Sequence, residues 1–164
     1  MAREFDASDI LEVAERMERN AVKFYRKAAG VCDDPVLSRL FTDLAQWERQ
    51  HVRVFADMRN RLAEPNGDNG RYVLDPDDQS PAQLPVPPVF GDSECPAKEL
   101  VDGTTKAEVL KAAIQKEEDT IAYYTGLKES VLGPHNIQVI EAIIHEEKRH
   151  IRILLQSLEH ISMR

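Results

Sequence analysis

Apolar residues along this chain recur at alternating steps of three and four over four long stretches, the spacing that turns one face of a helix toward a core. In the first, about 8–29, Leu11, Ala14, Ala21, Tyr25 and Ala28 form the stripe, and Gly30 reads as its C-terminal stop. The second, 35–62, has Asp34 as N-cap with Pro35 at the first helical position, and its stripe is Leu37, Phe41, Leu44, Phe55, Met58 and Leu62. The third, 105–131, opens on Thr105-Lys-Ala-Glu108, a capping box, and carries Leu110, Ala113, Thr120, Tyr124 and Leu127. The fourth, 135–161, follows Gly133-Pro134 and carries Ile140, Ile143, Leu154 and Leu158. Short connections within each pair predict two antiparallel hairpins, and the seam pattern predicts an all-α four-helix bundle.

Residues 63–104 follow a different rule. They hold 7 of the 9 prolines and 4 of the 7 glycines, which forbids a regular helix or inner strand. They also hold nine acids against two bases, so most of the net charge of −8 sits here. In a bundle whose second and third helices run parallel, this stretch is the long crossover. It is about three times longer than a tether needs at roughly 3.3 Å per residue. Its Tyr72, Val73, Leu74, Leu84, Val86, Val89 and Phe90 suit packing on a surface, predicting a homodimer, with exchange of hairpins as one form. One domain, 1–164, accounts for the length.

Composition narrows the classes further. An acidic chain lacks the clustered positive charge that nucleic acid or an anionic membrane surface requires. No apolar run approaches the roughly 20 residues of a membrane span, and the charged start MAREFDASDI lacks a signal-peptide core, so a cytoplasmic location is expected. Cys32 and Cys95 form no CxxC pair and read as free thiols.

The exceptions to the stripes carry the chemistry. Extending each register places Glu18, Glu48, His51, Glu117, Glu147 and His150 inward, near the middle of their helices. Buried charge is costly unless it is neutralised, paired or coordinated to a cation. Glu18 and Glu117 are 99 residues apart, as are Glu48 and Glu147, His51 and His150, and Tyr25 and Tyr124. Leu11/Leu110, Phe41/Ile140, Leu44/Ile143 and Phe55/Leu154 share the offset, so the two hairpins are duplicates. Each contributes one Glu and one Glu-x-x-His, whose i and i+3 side chains share a face.

One inward Glu is more often a misjudged surface residue, and one Glu-x-x-His decides little. Six such residues at one offset are hard to assign to chance. Four carboxylates and two imidazoles neutralise two divalent ions, and oxygen with nitrogen donors favours iron or manganese over a thiolate zinc site. This is the ligand set of carboxylate-bridged di-iron bundles. Neighbouring polar residues earn plainer readings. Glu118 and Asp119 read as surface charge, His145 and Glu146 as solvated or interfacial, and His135 and His160 as remote from the ligand level. Trp47 reads as flank packing, and Met17 and Met58 as core.

These segments resemble the ferritin-like superfamily, and within it the rubrerythrin-like branch. Glu18-Arg-Asn-Ala-Val-Lys-Phe-Tyr25 and Glu117-Glu-Asp-Thr-Ile-Ala-Tyr-Tyr124 are similar to that branch's first and third helices, and Glu48-Arg-Gln-His51 and Glu147-Lys-Arg-His150 complete the pattern. The resemblance implies bridging roles for Glu48 and Glu147, terminal roles for Glu18 and Glu117, and hydrogen-bond donation to the ligands by Tyr25 and Tyr124. It departs at two points. Rubrerythrins carry a rubredoxin-like module with two CxxC pairs, which the two cysteines here cannot build, and many place a further carboxylate where this chain has Thr120. An electron relay and a redox-mobile ligand are therefore missing.

The expected function is a di-iron, or di-manganese, oxidoreductase that reacts with peroxide or dioxygen and draws on an external electron donor. Iron handling as a ferroxidase is the first alternative, and an assembly protein stabilised by its metal pair is the second.

Overall fold

In the computed structural model, residues 7–63, 100, 103–130 and 134–163 are described. Four helices make up the architecture: α1 (Ala7–Val31), α2 (Pro35–Ala63), α3 (Lys106–Ser130) and α4 (Pro134–Ser162). The expected ends hold to within one or two residues, and the caps are formed as read. The Asp34 carboxylate accepts hydrogen bonds from the backbone N–H groups of Val36 and Leu37 at 2.9 and 3.3 Å. Thr105 and Glu108 reciprocate, with Thr105 N–H donating to Glu108 at 2.7 Å and Glu108 N–H to the Thr105 hydroxyl at 3.2 Å.

One expected stop differs. Gly30 lies inside α1, which continues to Val31, and the glycine with positive φ among the described residues is Gly103, at 92°. The end of α1 needs no left-handed residue because the Ser38 hydroxyl donates to the Ala29 carbonyl at 2.9 Å, satisfying a terminal acceptor from the next helix.

Side-chain pairs fix the directions. Arg59 reaches Glu15 at 2.6 Å and Lys128 reaches Glu141 at 3.2 Å, so α1/α2 and α3/α4 are antiparallel hairpins. Between hairpins, Tyr25 donates to Glu117 and Tyr124 to Glu18, so α1 and α3 also run antiparallel. Glu48 meets His150 and Glu147 meets His51, which makes α2 and α4 antiparallel as well. It follows that α2 and α3 are parallel, and Lys106 on Asp34 at 3.0 Å places both their N-termini at one end. The chain therefore returns the length of α2, 29 residues or about 43 Å, between them. The connection that does so, with its expected surface packing and its role in a dimer, lies outside the described residues, as does Cys95.

The stripes form the core. Leu11, Ala14, Ala21, Tyr25 and Ala28 of α1 are buried, with Leu37, Phe41, Leu44, Phe55 and Met58 of α2. Leu110, Ala113, Thr120, Tyr124 and Leu127 of α3 join Ile140, Ile143 and Leu154 of α4, while Leu158 is half-buried. Met17 packs in this core, as read. Aromatic layers flank the polar level: Tyr25 stacks on Phe41 at 6.2 Å, and Phe55 meets Tyr124 at 5.3 Å. These rings keep water from the bundle centre, and each Phe→Ala change there would cost about 3–5 kcal/mol. Among the described residues no helix is long and apolar enough to cross a membrane.

Candidate metal centre

At mid-height all four helices turn ionisable side chains into the core. Glu18, Glu48, His51, Glu117, Glu147 and His150 are each at most 3% exposed. Their donor atoms fall into two overlapping groups, each within 4.8 Å: Glu18, Glu48, His51 and Glu147 in one, Glu48, Glu117, Glu147 and His150 in the other. Glu48 and Glu147 belong to both. All six residues singled out by the repeat are thus brought together.

The two halves have matching dimensions. His51 Nδ1 lies 3.0 Å from Glu48 and from Glu147, and 3.7 Å from Glu18. His150 Nδ1 lies 3.1 Å from Glu48, 2.8 Å from Glu147 and 3.7 Å from Glu117. Short as these separations are, Glu48 Oε1, both Glu147 oxygens and His150 Nδ1 make no hydrogen bond. Buried polar atoms without partners cost roughly 1–3 kcal/mol each, more when charged. Atoms packed this closely yet misaligned with one another point at shared centres between them, so the donor set fits a pair of cations.

Electrostatics show the same demand. Burial lifts Glu18 to about 8 despite its His51 contact, with the Glu48 and Glu147 charges adding to the rise. Glu117 is raised well above the carboxylate range by burial and by those same two charges. Burial also acts on Glu48, but the His150 and His51 imidazoles close beside it outweigh it and hold that carboxyl well below the usual range. Both imidazoles are raised: burial opposes it, but the surrounding carboxylates win, taking His150 to about 12 and His51 further. Without metal, protons on the histidines and on Glu18 and Glu117 supply the positive balance that two divalent ions would provide.

Tyr25 and Tyr124 lie directly against the cluster. Each hydroxyl donates to a glutamate of the other hairpin, Tyr25 to Glu117 and Tyr124 to Glu18. Burial, then the adjacent carboxylates, push both phenols well above 10, so they remain donors. Thr120 is buried, and its hydroxyl donates to the Lys116 carbonyl at 2.9 Å, so this position offers the site no carboxylate.

Two flanking residues keep their sequence reading but gain a partner that it did not name. Glu146, taken as solvated or interfacial, has a half-exposed side chain but accepts a hydrogen bond from His51 Nε2 at 3.0 Å. Trp47 stacks on His150, with ring centroids 5.3 Å apart and planes 14° from parallel. Both contacts run between α2 and α4, which no pattern within a single helix could reveal. Glu118, Asp119, His145 and His160 are exposed, as expected, and Cys32 is a half-buried free thiol.

A sequence profile of the Rubrerythrin family matches residues 9–80. A crystal structure described as a ferritin-like diiron-carboxylate protein of Thermotoga maritima superposes with a TM-score of 0.72 at 28% identity, over 97% of this chain and 98% of that one. This chain is ferritin-like and rubrerythrin-like. Among curated proteins none matches at a significant level. The rubrerythrin-like bundle carries its carboxylate–histidine cluster where two hairpins meet, a site of the di-metal kind.

Proposed function

We propose that the chain is a non-haem di-iron oxidoreductase that reduces peroxide or dioxygen. One observation carries this reading: two four-residue donor groups share Glu48 and Glu147, so two ions would lie side by side with common ligands. Glu18 and His51 would complete one position, Glu117 and His150 the other. A ferrous pair supplies two electrons together, enough to convert peroxide and two protons into two waters, and an external donor must then return them.

The chain's own residues prepare that chemistry. Phe41 and Phe55 close the bundle around the site and limit water. Tyr25 and Tyr124 orient the terminal carboxylates and keep their protons, so each stands as a fixed donor beside Glu117 or Glu18. Glu18 and Glu117, held protonated by burial in the metal-free chain, release protons when cations arrive. Thr120 leaves no spare carboxylate to change partner with oxidation state, so the ligand set should stay the same in both.

Metal analysis of protein purified without added metal, then stopped-flow mixing of the ferrous form with peroxide and with dioxygen, tests the reading. Two irons per chain and rapid oxidation by either oxidant support it. Absence of bound iron, or a ferrous form inert to both, overturns it.

A further inference from the structure

The duplication holds at every ligand and at both tyrosines, but it breaks beside them. Trp47 and Glu146 are 99 residues apart and each precedes a shared glutamate, so they occupy one position of the repeat with opposite chemistry. Both turn across the α2/α4 seam onto the histidine of the other hairpin. Glu146 meets His51 Nε2 at 3.0 Å. Trp47 lies flat on the His150 ring, with the Arg149 guanidinium 5.1 Å from the indole centroid.

From this broken symmetry we infer that the two metal positions are inequivalent, that the one built on His51 binds its ion more tightly and fills first, and that Glu146 is the positioning residue responsible. The inference rests on the di-metal reading above. His51 faces Glu18, Glu48 and Glu147 through Nδ1, leaving Nε2 as the outer nitrogen. A carboxylate only accepts, so the Nε2 proton is donated to Glu146. That bond fixes the ring and its tautomer, keeps the Nδ1 lone pair for a metal, and makes the imidazole more electron-rich. His150 has no such partner among the described residues. An indole N–H can donate but not accept, and the nearby guanidinium brings positive charge where His51 has negative. One position thus gains basicity, orientation and a neighbouring anion, and the other gains only packing.

The side chain of Glu146 is 53% exposed, so Glu146→Gln should leave the core intact. Metal-free protein is titrated with Co(II) under anaerobic conditions, following visible absorption and heat. In the unaltered chain two steps are expected. Losing a carboxylate behind a ligating histidine typically weakens binding about 10- to 100-fold, so E146Q should weaken the first step by that factor and leave the second unchanged. Trp47→Glu, which restores the repeat, should tighten the second step comparably. His51→Ala should abolish the tight step and His150→Ala should spare it.

An E146Q protein with both steps unchanged, or with both weakened equally, overturns the inference. So does a tight step that survives His51→Ala but vanishes in His150→Ala. Two ions bound in one indistinguishable step overturn this inference and leave the di-iron reading standing. No bound metal at all removes both.

Discussion

The Tyr124 hydroxyl on α3 donates to Glu18 on α1, so the buried glutamate of each hairpin's first helix is held by a tyrosine of the other hairpin. This bond and its twin from Tyr25 to Glu117 tie α1 to α3 across the duplication. Tyr124→Phe removes the donor and leaves a buried oxygen of Glu18 with one partner fewer. A hydrogen bond to a charged group contributes about 1.5–3 kcal/mol, and metal-loaded protein should lose about that much in urea unfolding. Tyr25→Phe should cost a similar amount through Glu117. Wild-type stability in both variants would mean that the tyrosines neither orient the carboxylates nor link the hairpins.

From about pH 5 to about pH 8 the metal-free bundle should become less stable. Glu18 is raised to about 8, and Glu117 is raised in the same sense. Each holds a proton in the folded state that the unfolded chain has released above its ordinary value of 4.5, so their cost to stability grows as pH rises. His51 and His150 are raised from 6.5, so their contribution is complete below that value and fades as pH climbs. Glu48 is lowered, and its contribution is lost only on acidification below 4.5, outside this window. Bound cations replace these protons, so the metal-loaded protein should show a flatter profile and a widening advantage toward pH 8. Melting temperatures with and without Mn(II) across that range measure it. A metal-free protein more stable at pH 8 than at pH 5 would contradict the assignment of these protons.

The four helices and the convergence of six ionisable residues were legible because the signal lies within single helices and is written twice. Glu48 and His51 share a face whatever surrounds them, and Glu147 and His150 repeat the pattern at one offset. The role of Glu146 was not legible in that way. Its contact with His51 depends on how α4 is rotated against α2, which periodicity does not encode. A trace did exist, since Glu48 and Glu147 match at the 99-residue offset while the residues just before them, Trp47 and Glu146, do not. Glu15 is similar: its counterpart at the same offset is Ile114, and its buried carboxylate is explained only once Arg59 arrives from α2.

That ion pair can be separated from the metal centre. The Glu15 side chain is 4% exposed and is held by Arg59 at 2.6 Å and Arg19 at 3.0 Å, one turn from Glu18. Arg59→Ala leaves the carboxylate buried with a single, largely exposed cation, which should cost about 1–3 kcal/mol. Metal stoichiometry should stay unchanged, because Arg59 touches no donor residue. Denaturant unfolding paired with metal analysis reads both. Loss of metal without loss of stability would place Arg59 in the centre rather than in the scaffold.

The sharing of Glu48 and Glu147 makes a prediction about counts rather than affinities. Each lies in both donor groups, whereas Glu18 and Glu117 lie in one each. Removing a shared carboxylate takes a ligand from both ions at once and also leaves four positive charges facing three negative ones. Glu48→Ala or Glu147→Ala should therefore lower bound metal from two per chain toward none, and the double variant should abolish the pair. Glu18→Ala or Glu117→Ala weakens only its own position, so one ion should remain at metal concentrations that saturate the unaltered protein. Stability should follow, since a ligand at about 100 times its dissociation constant adds about 2.7 kcal/mol to the folded state. The shared variants should lose the whole of that metal-dependent rise in melting temperature, and the terminal variants about half. Equal retention of metal in all four single variants would mean that Glu48 and Glu147 do not bridge.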